Sequence, residues 1–261
     1  MSTTTTTNTI YLITGANRGL GLGLVKSLLT RPSTTIIASV RNEQASETLK
    51  SSLVTINPGT NSKLHIILLP FSTEPPTTPE YIQQTISTTI PNLPHIDILI
   101  LNAGSANPMT PALTTTPSDL RTSFEINTIA PLLVFQATWP LLRLSPSGTP
   151  KALFMSSSVG SIAAQEPFPG GAYGASRAAG NWLTRAIHLQ HEKDGLVAFA
   201  MHPGWVQTRA GDFVAREWGF ESGPPVSVEE SVRGILKVLD GASRKNVGGG
   251  FVTYEGEELP W

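Results

Sequence analysis

Tyr173 and Arg177 lie four positions apart in the segment YGASR, separated only by Gly, Ala and Ser. On a helix this spacing places the phenol and the guanidinium on one face. A cation about 5 Å from a phenol, at an effective dielectric constant of about 20, stabilises the phenolate by about 3 kcal/mol. The pair could therefore donate a proton in acid–base chemistry. The alternative is a helix face packed on a neighbour, with Arg177 at the surface.

A second candidate site is a glycine pattern, YLITGANRGLGLGL, near the start of the chain. Gly15, Gly19 and Gly21 have the spacing G-x-x-x-G-x-G. Glycine permits a tight turn and lets a pyrophosphate approach the N–H groups at a helix N-terminus. Because the pattern stands between an apolar run and a helical stretch, we favour dinucleotide binding over a plain turn.

The end of the second apolar run bears on which dinucleotide is bound. An NAD-binding protein places a carboxylate there to hold the ribose hydroxyls. Here the run ends in Val40 and Arg41, and Arg18 lies within the glycine loop. Two cations without a carboxylate suit a 2′-phosphate, so the sequence favours NADP(H) over NAD(H). The alternative for Arg41 is a solvated charge at a strand end.

Apolar, β-rich runs alternate with helical stretches along nearly the whole chain. The predicted strands are 9–14, 34–40, 63–69, 95–102, 151–157, 195–202 and 250–255. The predicted helices are 19–30, 43–56, 79–90, 118–144, 172–192 and 228–240, the last preceded by Ser227 and Glu230 at capping-box spacing. Continuous apolar runs are typical of strands covered on both faces. The alternation predicts an α/β protein with a doubly wound, seven-stranded parallel sheet that binds ligands at the carboxyl ends of its strands.

Composition excludes several other classes of protein and site. The net charge is −1 and only 14 % of residues are charged, so we predict no nucleic-acid and no membrane partner. The chain has no cysteine, and its histidines have no metal-ligand spacing, so we predict no metal. We expect a cytoplasmic protein with a flexible leader over 1–8 and a single domain over 9–261.

Six motifs in order along the chain carry a resemblance to a known family. They are the glycine pattern from Thr14 to Gly21, LNAG (101–104), EIN ending at Asn127, SSSVG (156–160), Tyr173-x-x-x-Arg177 and HPGWVQT (202–208). The chain resembles the short-chain dehydrogenases/reductases, which have a Rossmann-type fold, over nearly its whole length. The segments YLITGANRG, HPGWVQT and ELPW are similar to the fungal norsolorinic acid ketoreductase group. Members of that group reduce ketones on polyketide-type aromatic intermediates with NADPH.

The resemblance implies a role for each matching residue. Tyr173 would donate the proton, Ser157 would hydrogen-bond the substrate carbonyl, and the main chain of Asn127 would hold a proton-relay water. The alternatives are that the serines cap the next turn and that Asn127 caps a helix kink. The implied cofactor-binding residues are Gly15, Asn17, Arg18, Gly19, Leu20, Gly21, Arg41, Asn102, Ala103, Gly104, Tyr173, Arg177, Pro203, Gly204, Val206 and Thr208.

The sequence departs from the family pattern at two positions. Arg177 stands where the family has lysine, and Pro70 stands where the family often has an aspartate that contacts adenine. Arginine meets the electrostatic need, but its forked head is bulkier and it cannot deprotonate to pass protons onward. We therefore expect either an altered working site or a site that has lost its redox activity.

Four aromatic residues follow the HPGWVQT motif and indicate the substrate end. Trp205, Phe213, Trp218 and Phe220 lie within a segment, 205–226, that we predict to be a mobile lid. Phe168, in the loop before Tyr173, would face the same space. Flat aromatic walls suit a planar apolar substrate, and the predicted substrate contacts are Phe168, Trp205, Phe213 and Trp218. The alternative is that these rings pack on the body of the protein.

Taken together, these features predict an NADPH-dependent reductase. Its substrate would be a ketone, or a conjugated C=O or C=N group, on a small hydrophobic and aromatic secondary-metabolite intermediate. The rival enzyme hypothesis, motivated by Arg177, is a reductase-derived cyclase or isomerase without net redox change. A third hypothesis is a dinucleotide sensor without turnover. By analogy with the family, we expect a homodimer or homotetramer that pairs through helices 118–144 and 172–192.

Overall fold

A seven-stranded parallel sheet forms the centre of the computed structural model, which describes residues 8–71 and 76–261. The strands are β1 (Thr9–Thr14), β2 (Thr34–Val40), β3 (Lys63–Leu68), β4 (Ile98–Leu101), β5 (Lys151–Met155), β6 (Val197–His202) and β7 (Phe251–Thr253). Their order is β3-β2-β1-β4-β5-β6-β7, with every neighbouring pair parallel. The predicted doubly wound sheet is confirmed. Residues 1–7 of the predicted leader lie outside the described residues.

Helices cover both faces of the sheet, as the apolar strands require. They are α1 (Gly19–Leu29), α2 (Glu43–Ser52), α3 (Pro79–Thr89), α4 (Pro117–Phe124), α5 (Ala130–Leu142), α6 (Gly171–Gln190), α7 (Arg209–Trp218) and α8 (Val228–Gly241). One core cluster lies on the side of α1 and α8, and a second lies on the side of α3 and α5. The two cores fix the sheet, whose carboxyl edge then positions the loops that follow each strand.

Side-chain caps set several of the helix starts. Asn42 accepts a hydrogen bond from the N–H of Ala45, and Thr116 and Asp119 form a reciprocal capping box. Ser227 Oγ accepts from the N–H of Glu230 at 3.1 Å, which is the predicted contact at the start of α8.

The predicted single helix over 118–144 is wrong in one respect. The chain forms α4, then a π-helical turn over Glu125–Ile129, and then α5. Pro131, the second residue of α5, has no N–H to donate to the residue four positions earlier, which favours a break in the regular helical hydrogen bonding. Asn127 lies inside the π turn rather than in a regular helix.

The predicted lid segment, 205–226, contains a helix that the sequence analysis left unassigned. Its two ends meet where Val206 pairs with Val226, so the segment leaves and rejoins the body at one place. Thr208 caps the start of α7, and Gly219, with φ of 73°, ends it in the left-handed conformation that glycine adopts without strain.

Candidate active site

The glycine loop between β1 and α1 packs against the segment that follows β4. A Cβ atom on Gly15 would lie 3.0 Å from Ala103 Cα, and one on Gly21 would overlap the carbonyl oxygen of Gly15. Asn102 donates from Nδ2 to the carbonyl of Thr14 at 2.9 Å. These contacts require glycine at both positions and hold LNAG beside the loop.

The remaining residues of the glycine loop have different surroundings. Asn17 is half-buried, Leu20 packs against the first core cluster, and Arg18 is exposed. The Arg18 side chain lies near two further guanidinium groups, those of Arg41 and Arg209. Partial burial, then the charges of Arg209 and Arg41, lower the pKa of Arg18. The edge of the sheet beside the loop is therefore positively charged.

Arg177 points into the protein rather than to its surface. Tyr173 and Arg177 on α6 are only 8 % and 7 % exposed, and the guanidinium carbon lies 5.2 Å from the centroid of the Tyr173 ring. Nη1 donates to the carbonyl of Met155 at 2.7 Å. Among the described side chains, Arg177 Nε is one of two buried polar atoms without a hydrogen-bond partner. The surface alternative for this pair is wrong.

Two glycines pack against Arg177 at different points along the residue. A Cβ atom on Gly104 would overlap Arg177 Nη2, and one on Gly160 would lie 2.6 Å from Arg177 Cβ. Gly104 follows β4 and contacts the guanidinium, whereas Gly160 ends the 3-10 turn after β5 and allows the close approach of the α6 backbone.

The serines after β5 are held by different partners. Ser156 Oγ donates to Asn181 Oδ1 at 2.6 Å, and Ser157 Oγ accepts from the N–H of Val159 at 3.3 Å. The capping contact of the alternative hypothesis is thus present, but a hydroxyl that accepts one bond can still donate its proton. The N–H of Ser158 donates to His202 Nδ1 at 3.1 Å. Burial lowers the pKa of His202 to about 4, so the ring is neutral and able to accept this bond near pH 7.

Asn127 uses its side chain for structure. Nδ2 donates to the carbonyl of Ser105 at 2.9 Å and to Ser176 Oγ at 3.0 Å, and Oδ1 accepts from the N–H of Ser105 at 2.9 Å. Asn127, Arg177 and Gly180 line a cavity of about 10 Å³. That volume is about what a single water needs. The side chain of Asn127 ties the π turn to α6 and to the segment that begins with LNAG.

The HPGWVQT motif lies between β6 and the lid. Gly204 has a φ of 84°, and a Cβ there would lie 2.9 Å from the Tyr254 ring. The carbonyl of Pro203 accepts from Ser231 Oγ at 2.6 Å, and Val206 is buried. Thr208 Oγ1 accepts from the N–H of Gly211 at 3.1 Å. The Thr208 methyl group faces the glycine loop, since a Cβ on Gly19 would lie 3.3 Å from it.

The predicted substrate aromatics pack on one another. Phe168 stacks on Trp218 with ring centroids 4.9 Å apart, and Trp205 meets the edges of Trp218 and Phe220. Trp218 Nε1 also donates to the carbonyl of Pro169 at 2.8 Å. Phe213, Trp205 and Trp218 border a small apolar cluster of Met109, Tyr173 and Val214. The lid therefore rests on the face of the protein that contains Tyr173.

An open cavity lies elsewhere, on α7 and the turn that follows it. It measures about 360 Å³ and is lined by residues on the other side of α7, including Asp212, Ala215 and Arg216. None of the predicted site residues lines it.

Sequence reasoning missed Arg209 and the apolar contacts of Met109 and Val214. Arg209 directly follows Thr208 in the sequence, but its closeness to Arg18 depends on how α7 docks. Within 8–71 and 76–261, no group of three His, Asp or Glu residues is arranged to hold a metal ion. In the same ranges, no helix is long and apolar enough to span a membrane.

Comparison with known proteins supplies independent evidence. The short chain dehydrogenase family model matches residues 9–217. A short-chain dehydrogenase of Pyricularia oryzae is 37 % identical over 263 residues, covering 97 % of this chain and 99 % of that protein. The norsolorinic acid ketoreductase of Dothistroma septosporum is 36 % identical over 259 residues, covering 97 % and 92 %. The solved structure of NADPH-bound carbonyl reductase from chicken fatty liver is similar with a TM-score of 0.79 and 31 % identity, covering 98 % and 100 %.

A seven-stranded parallel sheet with a glycine loop after its first strand defines a Rossmann-type α/β protein. The matches in sequence and structure narrow this class. The chain belongs to the short-chain dehydrogenase family, a family of oxidoreductases, and the predicted resemblance is confirmed.

Proposed function

We propose that the protein is an NADPH-dependent reductase of a ketone, or of a conjugated C=O or C=N group, on a hydrophobic polyketide-type intermediate. The observation that carries the proposal is the buried Arg177 guanidinium, 5.2 Å from the centre of the Tyr173 ring. The names of the related ketoreductase and carbonyl reductase support the class of reaction. We assign the activity to one domain over 9–261 with a lid over 205–226.

The residues around the glycine loop fit a phosphorylated dinucleotide. Gly15 and Gly21 leave space that a Cβ would fill, and the N–H groups at the start of α1 can bind a pyrophosphate. Within the described residues, Arg18 and Arg41 have no carboxylate within ion-pair distance, which suits a 2′-phosphate. NADPH, which is bound to the chicken carbonyl reductase, is the proposed cofactor, and when bound here it supplies the hydride.

Each proposed catalytic residue has a separate role at the substrate carbonyl. Ser157 donates a hydrogen bond to the carbonyl oxygen, and Tyr173 donates the proton that neutralises the developing alkoxide. Arg177 stabilises the phenolate that remains on Tyr173. A water in the cavity beside Asn127 would donate a proton towards the phenolate and take one up in turn from bulk solvent. Because arginine keeps its own proton, the relay depends on this water more than on the cation.

The lid aromatics are the proposed substrate contacts. Phe168, Trp205, Phe213 and Trp218 offer flat apolar surfaces around Tyr173, which favours a planar aromatic ketone. No feature of the described residues favours the cyclase or isomerase alternative.

The test is to incubate the protein with NADPH and a panel of polycyclic aromatic ketones and to follow cofactor oxidation at 340 nm (roughly the nicotinamide absorbance maximum). We expect stoichiometric oxidation with at least one ketone. Product formation without NADPH consumption would instead select a non-redox enzyme. Tight NADPH binding without turnover on any ketone would select a sensor.

A further inference from the structure

The start of the lid helix lies against the glycine loop. Gly19 is the first residue of α1, and Thr208 is the residue before α7. A Cβ on Gly19 would lie 3.3 Å from Thr208 Cγ2, so the two helices begin side by side. Arg18 and Arg209 flank this contact directly in sequence.

Three arginines lie near one another at this place, and none of them pairs with an acidic group among the described residues. The charges of Arg209 and Arg41 both act on Arg18. Across residues 8–71 and 76–261 there are five ion pairs, and none includes Arg18, Arg41 or Arg209. The chain as a whole carries a net charge of −1, so its carboxylates are numerous enough to pair these groups. Their mutual repulsion is unrelieved until an anion binds between them.

We propose that Arg209 binds the pyrophosphate of the dinucleotide and so holds the lid closed over the bound cofactor. This inference rests on the proposed function. The pyrophosphate of a dinucleotide lies over the start of the first helix, which is the point that Thr208 touches. The 2′-phosphate lies instead at the end of the second strand, where Arg41 stands. The two arginines therefore take different phosphates.

The position of Arg209 links cofactor binding to the substrate site. Arg209 opens α7, and Val214 and Trp218 on the same helix border Tyr173. An empty glycine loop leaves Arg209 next to like charges, which weakens the docking of α7. Bound pyrophosphate attracts Arg209, so the repulsion at the start of α7 is replaced by an attraction. Arg209 therefore couples binding of the pyrophosphate to docking of α7.

Affinity for two cofactors tests the assignment. NADPH and NADH share the pyrophosphate, and only NADPH has the 2′-phosphate. Dissociation constants are measured by fluorescence titration for the wild type, Arg209→Gln, Arg209→Lys and Arg41→Gln. We expect Arg209→Gln to weaken binding of both cofactors by about tenfold, Arg209→Lys to recover part of the loss, and Arg41→Gln to weaken NADPH far more than NADH.

Arg216→Gln is the matched control for charge. Arg216 lies on the same helix two turns from Arg209, is exposed, and is not among the charges that act on Arg18. We expect its dissociation constants to stay within twofold of the wild type. Equal affinity of Arg209→Gln and the wild type for both cofactors would overturn the proposal. A loss confined to NADPH would overturn it too, because the contact would then be with the 2′-phosphate.

Hydrogen exchange of the α7 peptide tests the closure of the lid. NADPH should slow exchange over 209–218 in the wild type and in Arg216→Gln, and should have little effect in Arg209→Gln at saturating NADPH. Protection that is equal in all three proteins would overturn the link to the lid. A silent ketone panel with intact NADPH protection would reject the proposed reaction and leave this inference standing.

Discussion

Arg177 is the residue on which the chemistry of the site depends. Its guanidinium donates to the carbonyl of Met155 and packs against Gly104, so the charge is held in one place. A fixed charge in a partly dehydrated site interacts more strongly with a neighbouring phenolate than a mobile surface charge does. The sequence alone could identify the pair but could not tell whether the head turned inward.

Substitutions at Arg177 should separate the effect of its positive charge from the effect of its forked shape. Arg177→Met keeps the length of the side chain and removes the cation, and we expect kcat to fall by about two orders of magnitude, as a loss of about 3 kcal/mol requires. Arg177→Lys should preserve or raise the reductase activity, because lysine keeps the charge and can also pass a proton onward. A steep loss of reductase activity in Arg177→Lys would show that the forked shape of the guanidinium is itself required.

Removing the phenol hydroxyl should affect turnover and leave cofactor affinity nearly unchanged. Tyr173→Phe keeps the buried ring in the apolar cluster and deletes the proton donor. We expect kcat to fall at least roughly tenfold, as for loss of a general acid. Turnover and NADPH titration are measured on the same preparation. An unchanged kcat would remove Tyr173 from the mechanism.

His202 should give the stability of the protein a pH dependence. Burial lowers its pKa from 6.5 to about 4, so between these values the unfolded chain binds more protons than the folded chain. Stability therefore falls as pH drops below 6.5, and His202 accounts for a loss of about 2 kcal/mol between pH 7.5 and pH 5.

The variant that tests this is His202→Asn, whose side-chain oxygen can still accept from the N–H of Ser158. Its unfolding free energy, measured with urea, should fall about 2 kcal/mol less than that of the wild type over this pH range. Other histidines titrate in both proteins and cancel in the difference. Parallel pH curves for the two proteins would contradict the assignment.

Two secondary-structure elements, helix α7 of the lid segment and the π turn, were not predicted from the sequence. The aromatic residues of 205–226 drew attention to a lid but not to its helix, since lid and packed hairpin share the same composition. The π turn could not be predicted because the spacing of apolar residues does not show whether an N–H donates to the carbonyl four or five residues earlier. Both elements carry site residues, whereas the regular strands and helices matched their predicted segments apart from their ends.

Trp218 joins the lid to the loop that holds Phe168, through ring stacking and a hydrogen bond to Pro169. Trp218→Leu removes both contacts, which together contribute about 1–3 kcal/mol. We expect faster hydrogen exchange over 209–218 and a several-fold higher KM for an aromatic ketone. Trp218→Phe keeps the stacking and loses only the hydrogen bond. Its exchange rate and its KM should therefore lie between those of the wild type and Trp218→Leu. Identical exchange in all three proteins would show that this contact does not hold the lid.

At the scale of the whole molecule, the sheet was predictable because its strands are apolar throughout and alternate with helices. Buried strands such as β2 and β6 need cover on both faces, and that need determines the doubly wound arrangement. The contact between Gly19 and Thr208 was beyond prediction, because it joins residues far apart in sequence through the docking of α7. The positive edge formed by Arg18, Arg41 and Arg209 follows from that docking.

We propose that two copies pair through α6 and the helical segment formed by α4, the π turn and α5, as the family resemblance implies. Trp182 and Leu189, seven residues apart on one face of α6, are 70 % and 60 % exposed. Light scattering during size-exclusion chromatography should give a dimer or tetramer for the wild type and a monomer for Trp182→Glu. Val54→Glu, which alters an exposed apolar residue elsewhere, should keep the native assembly. A monomeric wild type would refute the pairing.

The tight fit of Gly104 against the arginine head constrains how this protein could have diverged or could be redesigned. A methyl group at 104 would force the Arg177 head to shift, whereas a slimmer ammonium group would vacate part of that space. Enlarging residue 104 therefore costs less once the arginine has been exchanged for lysine. A relative that receives this arginine accommodates it best with a glycine at the facing position.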